Sequence, residues 1–276
     1  MNEKRRFERI ENGWRLTLDS LSVDLPMTDS SDNPPYDAWS TPDLIAHFGE
    51  PTEIPIRYSV APLVPPKSTT MIPLPSPTSP EPISFFAVLD QRRTLYQYGV
   101  PVRIDEIGMF LYHAARVKEM LHGALYDSSR RPYPSAGAAY ELEIYILAAA
   151  CDGLPVGFYH YGPREHVFEL LLLPDAQRQM MIDDAIRQTA NQINMVQIAL
   201  YITARMRRIN WKNRPLTLAH QDAGVLLQTF YLTATALGLA PCALGGVNAV
   251  QFSQWTGISA SEEPLMSGFL IGSSKS

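Results

Sequence analysis

The residues in this chain best suited to chemistry are gathered in Arg130-Arg131-Pro132-Tyr133-Pro134-Ser135-Ala136-Gly137-Ala138-Ala139-Tyr140. The stretch runs directly into Glu141-Leu142-Glu143-Ile144-Tyr145-Ile146-Leu147, which is aliphatic and β-branched in the manner of a strand. Two prolines fix φ and remove two backbone N–H groups. Ser135, Ala136 and Gly137 leave room for a flat ligand to lie against the backbone, and the two arginines supply positive charge. A planar, anionic ligand suits these features, although an ordinary loop entering a core strand would use the same residues. Arg92-Arg93-Thr94 offers two guanidinium groups and a hydroxyl for charge-assisted bonds to a phosphate. A solvated helix end would look no different. In Cys242-Ala243-Leu244-Gly245-Gly246 a short strand ends in glycines, which permit positive φ and expose amide N–H groups; Gly-Gly alone is more often only a turn.

The run Arg-Arg-Pro-Tyr-Pro-Ser-Ala-Gly-Ala-Ala-Tyr-Glu-Leu-Glu-Ile-Tyr-Ile, residues 130–146, resembles the RPYPSAGA-LYP-EIY stretch of the SagB/McbC-type, nitroreductase-like flavoproteins. The resemblance extends from residue 83 to the C-terminus. It implies an α+β, nitroreductase-like fold with bound FMN, and a homodimer whose flavin sits at the subunit interface. The best-known members oxidise thiazolines and oxazolines in ribosomally made peptides to thiazoles and oxazoles. By this resemblance the backbone of Pro134, Ser135, Ala136 and Gly137 lines one side of the flavin ring, with Arg131 in reach of the cofactor. Arg92, Arg93 and Thr94 resemble the Arg-Arg-Ser-x-Arg motif that opens the flavin site, with Tyr96 standing where a second basic residue is usual. Leu244, Gly245 and Gly246 match the loop near flavin N5. Asp222-Ala223-Gly224 is similar to the family's Asp/Glu-Ala-Gly-His helix, with Val225 in place of the histidine.

Lys212 bears on the type of reaction. Azole-forming members carry a Lys-Tyr pair before the Asp-Ala-Gly helix, whereas this chain reads Trp211-Lys212-Asn213-Arg214-Pro215. Oxidation of an azoline needs hydride loss and removal of a proton from the adjacent carbon, so a base beside the ring is expected. The resemblance assigns that role to Lys212, while the amide of Asn213 cannot do acid–base work near neutral pH. His160, within Phe158-Tyr159-His160-Tyr161, matches a sheet strand of the family and is expected to be structural.

The resulting expectation is an FMN-dependent dehydrogenase acting on a peptide or peptide-derived intermediate in natural-product biosynthesis, with a cyclodehydratase or another biosynthetic enzyme as partner. Two other readings stay open. One is an NAD(P)H-using reductase of small nitro or quinone substrates, which would consume NAD(P)H without peptide. The other is a flavin-binding or degenerate scaffold subunit, which the departures at Tyr96 and Asn213 would suit.

The whole chain narrows the choice. Its 276 residues are 46% hydrophobic and 18% charged, an ordinary globular composition. A net charge of −5 gives no sign of nucleic-acid binding. No apolar run approaches the ~18–20 residues of a membrane span. The N-terminus lacks the apolar stretch of a signal peptide. Cys151 and Cys242 form neither a disulfide framework nor a metal motif, and a cytoplasmic location is expected. No phosphate-binding GxxxxGK[ST] or dinucleotide-binding GxGxxG motif occurs.

The elements that must position these residues divide at residue 82. Residues 1–82 read as an extension: weakly patterned to residue 50, apart from a short helix at 44–49, then proline-rich. Ten of the 23 prolines fall in residues 51–82, which suits an extended arm. Its apolar Ile72 and Leu74 need burial, and an arm embracing a second subunit would provide it. Residues 83–276 read as the FMN domain. Helices are expected at 84–91, from 103 to Gly123, at 174–192 and at 217–237. Strands are expected at 142–150, 156–161, 166–172, 196–204 and 264–272, the first three as an antiparallel meander. The pattern describes a mixed or antiparallel sheet covered by helices.

Overall fold

The computed structural model describes residues 5–10, 13–18, 21–26, 70–75, 77, 81–121, 128–209, 212 and 214–275. The short helix expected at 44–49, most of the proline-rich arm and Asn213 lie outside the described residues. Three N-terminal strands, β1 (Arg5–Ile10), β2 (Gly13–Leu18) and β3 (Leu21–Pro26), pair antiparallel in chain order. The elements that follow are β4 (Met71–Pro73), α1 (Phe85–Gln91), β5 (Val102–Arg103), α2 (Ile104–Ala115), β6 (Glu119–Leu121), β7 (Ser128–Arg130), β8 (Leu142–Ala148), β9 (Cys151–Asp152), β10 (Gly157–Gly162), β11 (Val167–Leu171), α3 (Asp175–Gln188), β12 (Ile198–Ala204), α4 (Pro215–Ala236), β13 (Leu239–Leu244), α5 (Ala249–Thr256) and β14 (Leu265–Ser273).

Seven strands form the main sheet in the order β13-β14-β12-β8-β10-β11-β4, every neighbouring pair antiparallel. The central strands β8 and β12 are buried along their whole length, because helices cover both faces. Alternate residues serve opposite layers. Ile144, Ile146, Leu200 and Ile202 face α2 and α4, where Phe110, Phe230 and Phe269 meet with ring centroids 5.1–6.4 Å apart. Tyr145, Leu147, Ala199 and Tyr201 face α3 and α5, where Phe252 lies 5.2 Å from the Tyr201 ring. Each such side chain contributes about 1.5–3 kcal/mol by leaving water. Between Ile202 and Thr203 the β12–β14 register shifts at a bulge, which re-aims the strand's polar end.

One expectation needs correction. The helix expected to run to Gly123 ends at Ala115. Arg116 leaves helical geometry, and Val117 and Lys118 give their N–H groups to the carbonyls of Pro163 and Arg130, at 2.8 and 2.7 Å. Met120, which continued the apolar spacing, belongs to β6, paired with β7. The described end of the proline-rich arm packs on its own chain. Residues 71–73 form the edge strand β4 against β11, and Leu74 is buried in the layer of α2 and α4. An edge position tolerates Pro73, whose missing N–H interrupts no inner ladder.

Candidate functional site

Hydrogen bonds within the loop between β7 and β8, and one to a distant helix, hold it in one shape. The Ala136 N–H donates to the Asp222 carboxylate on α4 (2.8 Å). The Ser135 hydroxyl accepts from the Tyr140 N–H (3.0 Å) and donates to Glu141 (3.1 Å). The Tyr140 hydroxyl donates to the Tyr133 carbonyl (2.9 Å) and accepts from the Arg131 N–H (3.2 Å). Residues 136–138 make a single 3-10 turn, and Gly137, Ala138 and Tyr140 all have positive φ (65°, 54° and 48°). Glycine adopts such backbone freely; alanine and tyrosine do so only where surroundings compel it, and compelled backbone of this kind gathers at functional sites. Pro134 and Gly137 stay exposed, so the loop offers its backbone to a ligand.

Arg131 lies beneath the loop. It is 7% exposed, its guanidinium carbon 4.8 Å from the centroid of the Tyr140 ring and its Nε donating to Ser129. Its Nη2 is buried without a hydrogen-bond partner. Arg208, also buried, donates from Nε to the Ala139 carbonyl (2.7 Å). The positive charge near the loop thus comes partly from the turn after β12.

The second and third predicted segments meet at Tyr231 of α4, a residue the sequence reading did not single out. Its hydroxyl is 2.8 Å from that of Thr94 and accepts from the Ala243 N–H (2.9 Å). Arg92 lies over its ring at 5.4 Å. Arg93 is exposed, its Nε directed to the Gln91 carbonyl at 3.5 Å. Leu244 is buried, while Gly245 and Gly246 are exposed; a Cβ added at Gly245 would meet nothing within 4 Å. Tyr231 follows Asp222 by nine residues, about 14 Å along a helix rising 1.5 Å per residue. Helix α4 is therefore the spine of the site, with the 134–137 loop on one part and the 92–94 and 244–246 segments on another. Lys212 stands three residues before α4 begins at Pro215, half-buried, its N–H bonded to the Ile209 carbonyl (2.9 Å). An open cleft of about 470 Å³ is lined by Thr94, Tyr96, Gln192 and Lys275.

A flavin requires cations for its phosphate, backbone against its ring and donors at its ring edge. The described residues fit in kind. Arg92 is partly accessible, Gly137 and Gly245 are exposed, and a buried guanidinium nitrogen of Arg131 lacks a partner. Among the described residues no group of three or more His, Cys, Asp or Glu side chains could hold a metal ion. None of their helices is long and apolar enough to cross a membrane.

A second polar cluster lies inside the layer of α3 and α5. His160, fully buried on β10, has Nε2 2.7 Å from Glu143 and Nδ1 3.0 Å from Glu169. Only an imidazolium can donate at both nitrogens. Burial opposes the charge, but the hydrogen bonds to Glu143 and Glu169 outweigh it and bring the His160 pKa up to about 8. Arg205 stands 3.2 Å from Glu143 and 3.4 Å from Glu263, as ion pairs without aligned hydrogen bonds. Glu263 also accepts from the Tyr145 (2.8 Å) and Thr203 (2.6 Å) hydroxyls. His160 thus sits in a sheet strand, as the resemblance implies, and is locked between two carboxyl groups.

Known proteins agree with this architecture. Residues 112–273 match the nitroreductase family. A provisionally named nitroreductase of Methanocaldococcus jannaschii is 29% identical over 168 residues, covering 60% of this chain and 80% of the relative. The crystal structure of a provisionally named nitroreductase from Ralstonia eutropha superposes with a TM-score of 0.59 at 20% identity, covering 78% of this chain and 94% of that one. A chain of the Escherichia coli microcin synthetase McbBCD complex, solved with truncated pro-MccB17 bound, superposes at 0.55 and 19% identity, covering 73% and 77%. More than half of the chain lies within the family match, along with β8, α4 and the loop between β7 and β8, and the chain belongs to the nitroreductase family of flavin oxidoreductases.

Proposed function

We propose that the protein is an FMN-dependent dehydrogenase that oxidises a peptide or peptide-derived substrate, such as an azoline to an azole, with oxygen as terminal acceptor. The observation that supports this reading best is the loop at 134–137. Its backbone is accessible, held in strained geometry and bonded to the same helix that Lys212 precedes and that carries Tyr231 with Arg92 and Thr94. The fold shared with a chain of the McbBCD complex, which holds truncated pro-MccB17, agrees with a peptide substrate and a cyclodehydratase partner.

When bound, FMN supplies a hydride acceptor. Arg92 and Arg93 would hold its phosphate or ring oxygen, with Thr94 fixed by Tyr231, and the 134–137 and 244–246 backbones would line the ring. Arg131 supports the loop from beneath. Lys212 takes the proton from the carbon next to the hydride donor or, kept charged, stabilises negative charge there. The working form is a homodimer. Phe85 (61% exposed) and Phe86 (75%) on α1, with Val225 on α4, leave apolar surface that a second subunit would cover. Light scattering at micromolar concentration tests this assembly, and a flavin-loaded monomer contradicts it.

The function is tested by the rate of flavin reduction by a thiazoline-containing peptide. Lys212→Met is expected to keep flavin and lose about 10²-fold or more in rate, the scale of a positioned acid–base group. Asn213→Tyr, which restores the family pair, is expected to raise it. Equal rates in parent and Lys212→Met remove Lys212 from the mechanism. Reduction by NAD(P)H and not by peptide favours a small-molecule reductase, in keeping with the name of the Methanocaldococcus jannaschii relative. A flavin that neither reduces favours a scaffold subunit.

A further inference from the structure

Two carboxyl groups meet under the 134–137 loop, and each holds one of its hydrogen bonds. Glu141 has no exposed surface and Asp222 is 8% exposed. Ser135 donates to Glu141 Oε2, and the Ala136 N–H donates to Asp222 Oδ2. Because Ser135 and Ala136 are adjacent, these two bonds bring the carboxyls close together, and Asp222 acts on Glu141 as a like charge. Glu141 Oε1 is buried with no donor directed at it. Two ionised carboxylates cannot stay in contact away from water, whereas one proton between them turns repulsion into a hydrogen bond and satisfies the orphaned oxygen.

The surroundings match a pair carrying one negative charge. Arg208, on the turn after β12, is the cation that faces Glu141, and its Nε is committed to the Ala139 carbonyl. Arg205 lies opposite Glu141 across the β8–β12 ladder, but its guanidinium belongs to Glu143 and Glu263. Tyr133 faces Glu141 from the loop with its hydroxyl kept neutral by burial, and Arg131 lies beyond it. Burial first, and the charge of Asp222 second, push the Glu141 carboxyl up to about 7.

We propose that Glu141 and Asp222 share a single proton and act as a positioning pair that latches the 134–137 loop, so that release of the proton loosens the loop. A second negative charge would force one carboxyl to move or hydrate, and each of them holds part of the loop. The link from the latch to the cofactor rests on the flavin-facing role given to the loop above.

Three readouts test the pair on the full-length protein. Carbon-13 NMR of glutamate-labelled protein, with Glu141→Gln to assign the resonance, is expected to show Glu141 titrating near 7. Asp222→Asn is expected to lower that midpoint by about one pH unit or more. Hydrogen exchange at the Ala136 amide, corrected for its intrinsic rate, reads the latch. Protection falls about tenfold between about pH 6 and about pH 8.5 in the parent and stays flat in Glu141→Gln, whose amide imitates the neutral acid. FMN affinity, from fluorescence titration over the same range, falls in the parent and not in Glu141→Gln. A Glu141 midpoint in the ordinary carboxylate range, or one unmoved by Asp222→Asn, overturns the shared proton. Constant Ala136 protection in the parent overturns the latch. Failure to bind FMN at any pH overturns the cofactor reading instead, while the carbon titration and amide exchange still decide the pair.

Discussion

Glu141 and Glu143 stand two residues apart at the start of β8, both shut away from water, and their partners are opposite in kind. Glu143 touches His160 at 2.7 Å and Arg205 at 3.2 Å, two cations inside a cluster whose outer members are Glu169 and Glu263. Glu141 has another carboxyl beside it and a serine hydroxyl that leads to the loop. In the first region charge is matched and locked between strands. In the second, like groups are set against each other where the backbone is strained and open. A buried matched cluster serves as a strut, with a large penalty if one member is removed. A buried like pair is a place where protonation and loop geometry are coupled, which is the character expected near a site of chemistry. The flavin site proposed above lies on the Glu141 side.

The largest predicted effect would break the comparison outright if it failed. Arg205→Met leaves Glu143 and Glu263 without their shared cation, and is expected to cost about 3–5 kcal/mol in urea unfolding. Glu141→Gln, measured near pH 6, keeps a neutral hydrogen-bonding side chain and is expected to cost about 1 kcal/mol or less. Equal costs would mean that the two glutamates play the same role.

The next effect separates binding from stability. Arg92→Ala removes a charge-assisted contact to the cofactor worth about 1.5–3 kcal/mol, a loss of roughly tenfold or more in FMN affinity. The unfolding midpoint of the protein without added FMN should hardly change, because Arg92 is only half-buried. Unaltered FMN affinity removes Arg92 from the site.

The smallest effect concerns pH. The folded state raises the His160 pKa from 6.5 to about 8, so His160 contributes stability fully present below pH 6.5 and lost as pH rises through 8. The difference is worth roughly 2 kcal/mol. Glu141 works in a lower window. Its carboxyl, raised from 4.5 to about 7, contributes stability present below 4.5 that is lost as pH rises through 7. Unfolding free energies of the parent, His160→Gln and Glu141→Gln across this range sharpen the comparison, since each variant should flatten its own window. If the parent gains stability between pH 6.5 and 8, the imidazolium assignment is wrong.

What could be read from the chain follows the reach of the interactions. The core strands β8, β12 and β14 are mainly apolar, and α4 combines an apolar face with Pro215 at its start and Gly238, at φ 69°, just past its end. These are local signals, and the residues carrying them show through. Helix α5 had legible caps, since Asn248 accepts from the Gln251 N–H and Gly257 follows at φ 76°, but its eight residues are too few for periodicity to stand out. In the N-terminal strands Trp14, Leu16 and Leu18 alternate with polar residues, a local strand signal, and β1 pairs with β2 from Ile10 and Gly13 outward. The end of α2 is not legible locally, because the carbonyls of Pro163 and Arg130, distant in sequence, take the N–H groups of Val117 and Lys118.

The site was legible only in part for the same reason. The 134–137 loop announces itself by composition, yet its anchor at Asp222 lies 86 residues away. Tyr231 looks like any aromatic residue in a core helix until Thr94 and Ala243 converge on its hydroxyl. The charge cluster joins β8, β10, β11, the end of β12 and the approach to β14, and no spacing along the chain pairs Glu143 with His160 and Arg205.

The claim that the Glu141 side of the molecule is a flavin site is tested most directly by the absorption spectrum of the purified protein, with the released chromophore identified by mass. The account predicts a yellow protein that releases FMN, and recovery of the same spectrum when protein stripped of its flavin is titrated with FMN. A colourless protein that leaves the fluorescence of added FMN unchanged would contradict it.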